Sequence, residues 1–187
     1  MVVASLHQGI VDLHPTRLEF YEAWLHPTGL RDGKIGLAPL AAVLSFLRQE
    51  GDEPYRRVAV RAGTYSAEWL VQSLSPLRQR VVVSMPASLR VWLVLRLARQ
   101  LVRKTYGGTR TTIRDVRGQR GALDLRGSVF CQVRTQVESP LCQFYEAAVS
   151  VLCRRFDLSM TAVAVECRAI GAARCLIVCA VDHRTDA

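Results

Sequence analysis

From Ala87 to Val181 the hydrophobic pattern runs helix, two strands, helix, two strands, an order that leaves few folds open. Ser84 offers an N-cap with Pro86 at the next start, and Ala87–Lys104 reads as a long helix, apolar on most sides and predicted to be buried on more than one face. Gly107-Gly108 stops it. Two β-rich runs, Arg110–Val116 and Ala122–Val133, flank Arg117–Gly121 and predict a hairpin. Ser139 and Pro140 then open a helix to about Phe156. Its stripe of Leu141, Phe144, Tyr145, Ala148, Val149, Leu152 and Phe156 is one-sided. A second hairpin is predicted from Thr161–Ala169 and Ala173–Val181 around Ile170-Gly171-Ala172. The expected class is α+β, an antiparallel sheet of about four strands with helices mainly on one face.

Upstream the signals are weaker. Residues 1–34 are mixed, with turns expected at His14-Pro15 and His26-Pro27 and a short helix over Arg17–Leu25. Leu37–Gln49 is the first firm helix, its apolar stripe a candidate surface for pairing. Arg56–Ala62 reads as an irregular connector, Gly63 introduces a short helix over Ser66–Leu74, and Val81–Met85 reads as extended. The expected organisation is an N-terminal extension over 1–35, one domain over 36–182 and a tail over 183–187.

Composition narrows the class. Half of the 187 residues are apolar and 22% are charged, which excludes intrinsic disorder. No apolar run reaches the ~18–20 residues of a membrane span. No basic stretch followed by an apolar core opens the chain, so a cytoplasmic protein is expected. The net charge of +9 is the balance of 25 basic and 16 acidic side chains, and of the basic ones only Lys34 and Lys104 are lysine. The arginines are scattered without a dense run, so nucleic acid is not an expected partner. All six cysteines fall between positions 131 and 179. In a chain this long and apolar they read as reduced thiols rather than a disulfide scaffold.

Cys167 and Cys175 flank the predicted second hairpin and would face one another across it. Cys142, near the start of the preceding helix, could bring a third sulfur. Three thiols at one place can share a tetrahedral metal or pack as plain core. Histidine is absent between residues 27 and 182, and no phosphate-binding loop or nucleophile elbow is present, which argues against an enzyme. A ligand pocket is the alternative, with Trp69, Trp92, Phe130, Phe144 and Tyr145 as candidate walls and Tyr106 and Arg96 as polar contacts.

The run from Ala164 to Cys175 has a Glu just before a Cys, then a Gly, then a second Cys eight residues after the first. With Pro140-Leu141-Cys142 upstream, it resembles the C-terminal signature of 4-vinyl reductase-like domains, a family sharing its fold with subunits of the TRAPP trafficking complex and haem-NO-binding-like domains. The resemblance is specific over about 122–181 and loose over 36–121. It implies a bacterial sensor of small hydrophobic or aromatic ligands that acts through a partner, as a homodimer or a subunit of an assembly. It also implies a structural zinc held by Cys142, Cys167 and Cys175. The family's glutamate ligand lies three residues before the first hairpin cysteine, where this chain has Ala164. Cys131 or Glu166 are the substitutes. The alternatives are a factor in tetrapyrrole (bacteriochlorophyll) synthesis and a ligand-free scaffold subunit.

Overall fold

The computed structural model describes residues 1–24, 37–105, 109–117, 120–133 and 137–181. Among them are seven α-helices and a four-stranded antiparallel sheet of order β1-β2-β4-β3. The helices are α1 (Val2–Leu13), α2 (Leu18–Trp24), α3 (Leu37–Gln49), α4 (Asp52–Gln72), α5 (Pro76–Val83), α6 (Ala87–Thr105) and α7 (Gln143–Arg155). The strands are β1 (Arg110–Arg117), β2 (Arg120–Arg126), β3 (Met160–Glu166) and β4 (Cys175–Val181). The expected class and sheet are observed.

The largest departure is α4. The expected connector and the short helix after it are one helix of 21 residues. Tyr55, Val58, Ala59, Ala62, Ser66, Ala67 and Leu70 are all buried, a three-and-four spacing that runs straight through Gly63. Gly63 is a close-approach residue rather than a breaker. A β-carbon there would lie 2.2 Å from the carbonyl oxygen of Phe144, so its absence lets α4 and α7 pack backbone to backbone.

Other boundaries move for local reasons. Val81–Met85 is not extended: Ser75 caps α5 by accepting from the Arg78 amide, Pro76 sits in the first turn, and Ser84 closes this helix instead of opening the next. α6 is one-sided, with Val91, Val94, Leu95, Ala98, Leu101 and Val102 buried and Leu89 and Trp92 exposed. β2 stops at Arg126 because Gly127 takes a left-handed φ of 78°, and Val129–Cys131 follows as a 3-10 turn. The second hairpin has a longer connection than expected, with a 3-10 turn at Arg168–Ile170 and Gly171 at φ 96°.

The N-terminal residues expected as an extension carry α1, and Val2, Leu6, Ile10 and Tyr21 belong to the same core as the domain. Ser5 and Ser66 share a buried hydrogen bond of 2.7 Å between α1 and α4. The stripe of α3 is consumed inside the chain, since Leu40, Val43, Leu44 and Leu47 are buried; it is therefore no free surface for pairing. His26, Tyr106, Gly107-Gly108 and the tail lie outside the described residues.

Candidate metal centre

Four cysteines converge where α7 starts. Cys131 ends the 3-10 turn after β2, Cys142 stands at the N-cap of α7, Cys167 follows β3 and Cys175 opens β4. Their sulfurs all lie within 4.8 Å of one another and all four residues are buried. Cys131 and Cys142 approach to 3.4 Å, Cys131 and Cys167 to 3.5 Å, and the Cys142 thiol donates to Cys167 at 3.4 Å. Zinc–sulfur bonds of about 2.3 Å at tetrahedral angles put sulfurs about 3.8 Å apart, so this cluster has the spacing of a tetrathiolate site.

The chain places each sulfur by backbone means. The left-handed Gly127 turns the chain off β2 and brings Cys131 inward. Tyr55 of α4 donates its hydroxyl to the Leu141 carbonyl at 3.1 Å, which fixes the residue before Cys142. Glu166 pairs with Leu176, so Cys167 and Cys175 follow as the next positions of that register, and the Arg168 amide points at the Cys175 sulfur at 3.4 Å. The Val137 amide bonds the Ala169 carbonyl at 2.9 Å and ties the approach to α7 onto the hairpin connection.

Charge in the cluster is unequally shared. Hydrogen bonds from Cys131, Cys142 and Cys175 hold the Cys167 thiol far below its ordinary pKa, whereas hydrogen bonding to Cys131, Cys167 and Cys175 pushes Cys142 up. Cys175 is lowered as well, chiefly by hydrogen bonds from Cys131 and Cys142, and a deprotonated sulfur is the form that binds metal.

Glu166 is not with the sulfurs. Its carboxylate is gripped by Arg174 at 2.9 and 3.1 Å, and this pairing lowers its pKa. A strand residue next to Cys167 faces the opposite side, and the bulge between Ala164 and Glu166 does not bring it round. Arg174 also reaches the buried Asp124 at 3.4 Å, and Arg114 meets the same carboxylate at 2.9 Å. An ionic brace therefore backs the hairpin whose other side carries the thiols.

At Ala164, where the resemblance expects a carboxylate, the backbone amide donates to Glu146 of α7 at 2.6 Å. Burial raises the pKa of Glu146 against the opposing effect of that bond. Ser150, one turn on, accepts from the Ala162 amide at 3.0 Å. These two α7 side chains occupy amides along the free edge of β3, a guard against edge-to-edge pairing that the sequence reading missed. Their i, i+4 spacing on a helix beside an edge strand was the available signal.

Of the candidate pocket walls, Phe130, Phe144 and Tyr145 come together. Phe130 stacks on Phe144 at 4.5 Å, Tyr145 stands edge-on to both at 5.5 and 5.2 Å, and Tyr145 takes a hydrogen bond from Ser128. Trp69 and Trp92 are elsewhere. Trp69 stacks on Tyr65 along α4, and Trp92 lies on the outer side of α6, 38% exposed, with the Arg96 guanidinium over its ring.

No family model matches the chain. No curated protein matches it either. Among solved structures the fold is similar to the phenol-responsive sensory domain of the transcription activator PoxR, crystallised with phenol, at 16% identity over 77% of this chain and 73% of that one, TM-score 0.52. It is also similar to a mutant of the SO2144 H-NOX domain from Shewanella oneidensis, solved by NMR in the Fe(II)CO ligation state, at 13% identity over 97% of both chains, TM-score 0.54. At such identities the likeness is one of fold alone.

Proposed function

We propose that this chain is a 4-vinyl reductase-like sensor domain that binds a small hydrophobic or aromatic molecule and reports occupancy to a partner protein, with a structural zinc bracing the binding end. The observation that carries this reading is the buried four-sulfur cluster, set on the same helix start as the Phe130–Phe144–Tyr145 group. The likeness to a phenol-responsive domain supports it at the level of fold.

Zinc would be held by Cys131, Cys142, Cys167 and Cys175, with Cys131 supplying the ligand that the family takes from glutamate. Four protein sulfurs leave no open position, so the ion would crosslink the end of β2, the start of α7 and both sides of the hairpin rather than activate water. A haem fits less well, because histidine is absent between residues 27 and 182 and imidazole is the usual proximal ligand in such pockets.

A second reading, a ligand-free scaffold subunit, is favoured by one observation. Phe130, Phe144 and Tyr145 are 0–1% exposed and fill their space with one another. The two readings separate in native mass spectrometry with metal analysis on protein purified without chelator, followed by titration with phenol. One zinc per chain and a phenol-bound species that raises the melting temperature support the sensor. Zinc-bearing protein indifferent to phenol and to other small aromatics supports the scaffold. Metal-free protein with an unaltered melt removes the zinc.

A further inference from the structure

The arginines that look scattered along the sequence are not scattered in their charge balance. Residues 69–114 contain nine of the 25 basic side chains and none of the 16 acidic ones, which leaves 16 of each sign elsewhere. The whole net charge of the protein therefore resides in α5, α6 and the start of β1.

The same stretch holds the longest interruption of the core among the described residues. From Gln72 to Arg90 no residue is buried, although Leu74, Leu77, Val81, Val82, Val83, Met85 and Leu89 lie within it. α5 contributes no buried residue at all. Leu77 is 72% exposed and Val81, one turn on, is 45% exposed. On α6, Leu89, Trp92, Arg96, Arg99 and Arg103 follow at spacings of three and four, a single stripe that begins apolar beside α5 and ends basic. Arg96, Arg99 and Arg103, with Gln100, line a surface recess of about 480 Å³. Arg78, Arg80, Arg96, Arg99 and Arg103 have no acidic partner among the described residues.

We propose that α5 and α6 form a docking face for an anionic lipid surface, with Leu77, Val81, Leu89 and Trp92 entering the interface and Arg96, Arg99 and Arg103 taking the headgroup phosphates. Apolar and aromatic side chains beside arginines, with no opposing acid, are what an interfacial helix presents to such a bilayer. A second copy of this chain does not fit, because symmetric pairing would set two wholly basic faces together. A phosphodiester backbone would satisfy the arginines but leave Leu77 and Val81 in water, so nucleic acid fits less well.

The test is flotation of the full chain with vesicles of phosphatidylcholine alone and with about 30% phosphatidylglycerol. Binding is expected to the anionic vesicles only, and to fall as salt rises from about 0.1 to about 0.5 M. Replacing Arg96, Arg99 and Arg103 together by Gln is expected to weaken it on the order of a hundredfold, at about one kcal/mol per charge. Leu77→Ser with Val81→Ser is expected to weaken it independently. All of these positions are at least partly exposed, so an unchanged thermal melt certifies the variants as folded. Equal binding to both vesicles, no binding to either, or anionic binding that survives the triple variant overturns the proposal. Duplex DNA binding lost in the same triple variant, without vesicle binding, reassigns the face to nucleic acid.

Discussion

Two regions of this domain are built on opposite terms. At the thiol corner the end of the turn after β2, the start of α7 and both sides of the second hairpin meet, every sulfur is buried, and backbone contacts fix the approach to Cys142 and the position of Cys175. Between residues 72 and 90, α5 and the first turn of α6 contribute no buried residue and leave Leu77, Val81 and Leu89 exposed. Packing accounts for the first region, and in the second only for the inner side, where Leu74, Val82 and Val83 lie against the core. The proposed metal crosslink therefore belongs to the corner, and the proposed outward contact to α5 and the outer side of α6. Substitutions should be costly to stability in one and nearly silent in the other.

The largest effect is expected at the sulfurs. With zinc bound, Cys142→Ser or Cys167→Ser removes a ligand from a closed site and should release the metal. A loss above about 4 kcal/mol belongs to the disruption of metal sites, and in a chain of this size it lowers the melting temperature by about 10 °C. Cys153→Ser and Cys179→Ser alter equally buried thiols outside the cluster and should keep full metal content with a smaller fall. Metal analysis beside a thermal melt reads both. Equal behaviour of the two sets would erase the distinction between ligand and plain core cysteine.

Next is Gly63→Ala. The added methyl would meet the Phe144 carbonyl at 2.2 Å, and backbone cannot yield as a side chain tip does. Overpacking should outweigh the better helix propensity of alanine and cost about 2–3 kcal/mol by denaturant titration. Because Phe144 lies in the first turn of α7, two residues from Cys142, the same change should loosen metal retention where zinc is bound. A stabilised variant would mean that α4 and α7 can separate at no cost.

The contrast also explains what could be read from the sequence. The second half was legible because α7 and both strand pairs carry one-sided or alternating patterns with caps and turn residues at their ends. Two of the four sulfurs were legible through hairpin register, and a third, Cys142, through its place at the start of the preceding helix. Cys131 was harder, because the run from Ala122 to Val133 looks like one strand and only the left-handed Gly127 ends it early. The carboxylate at Glu166 was attractive by adjacency, yet strand geometry sends it to the far side, where Arg174 waits. α4 was misread because glycine marks both a helix stop and a close approach, and only the partner helix tells them apart. The basic face was invisible because arginines three and four apart look dispersed until a helix aligns them.

A smaller effect is expected on the side of the hairpin away from the thiols. Asp124 is almost wholly buried, whereas Arg114 and Arg174 are partly exposed, so Asp124→Asn should cost about 1–2 kcal/mol rather than the full penalty of breaking a buried pair. Acid should act on the same brace. Arg174 lowers the pKa of Glu166, so the stability from that pair is complete above the ordinary carboxylate range and is lost as pH falls through the depressed value. Arg174→Gln should flatten that part of the acid limb in a pH series of melts. An unchanged limb would show that the hairpin does not depend on its ionic backing.

The smallest effect is expected where apolar exposure is greatest. Leu77→Ser with Val81→Ser removes two large side chains, but Leu77 is 72% and Val81 45% exposed, so little apolar area returns to water on unfolding and stability should change by no more than about 0.5 kcal/mol. Deleting as much hydrocarbon from the core, as in Leu6→Ala with Leu44→Ala, should cost well above 4 kcal/mol, since both leucines are buried and leave cavities. Chemical denaturation of the two double variants measures the ratio directly. If the α5 variant approaches the core variant, α5 is held against the domain by contacts that matter to folding, and its exposed leucine and valine lose their claim to an outside partner. If it remains silent, two exposed hydrophobic side chains persist without a folding role, as a docking surface requires.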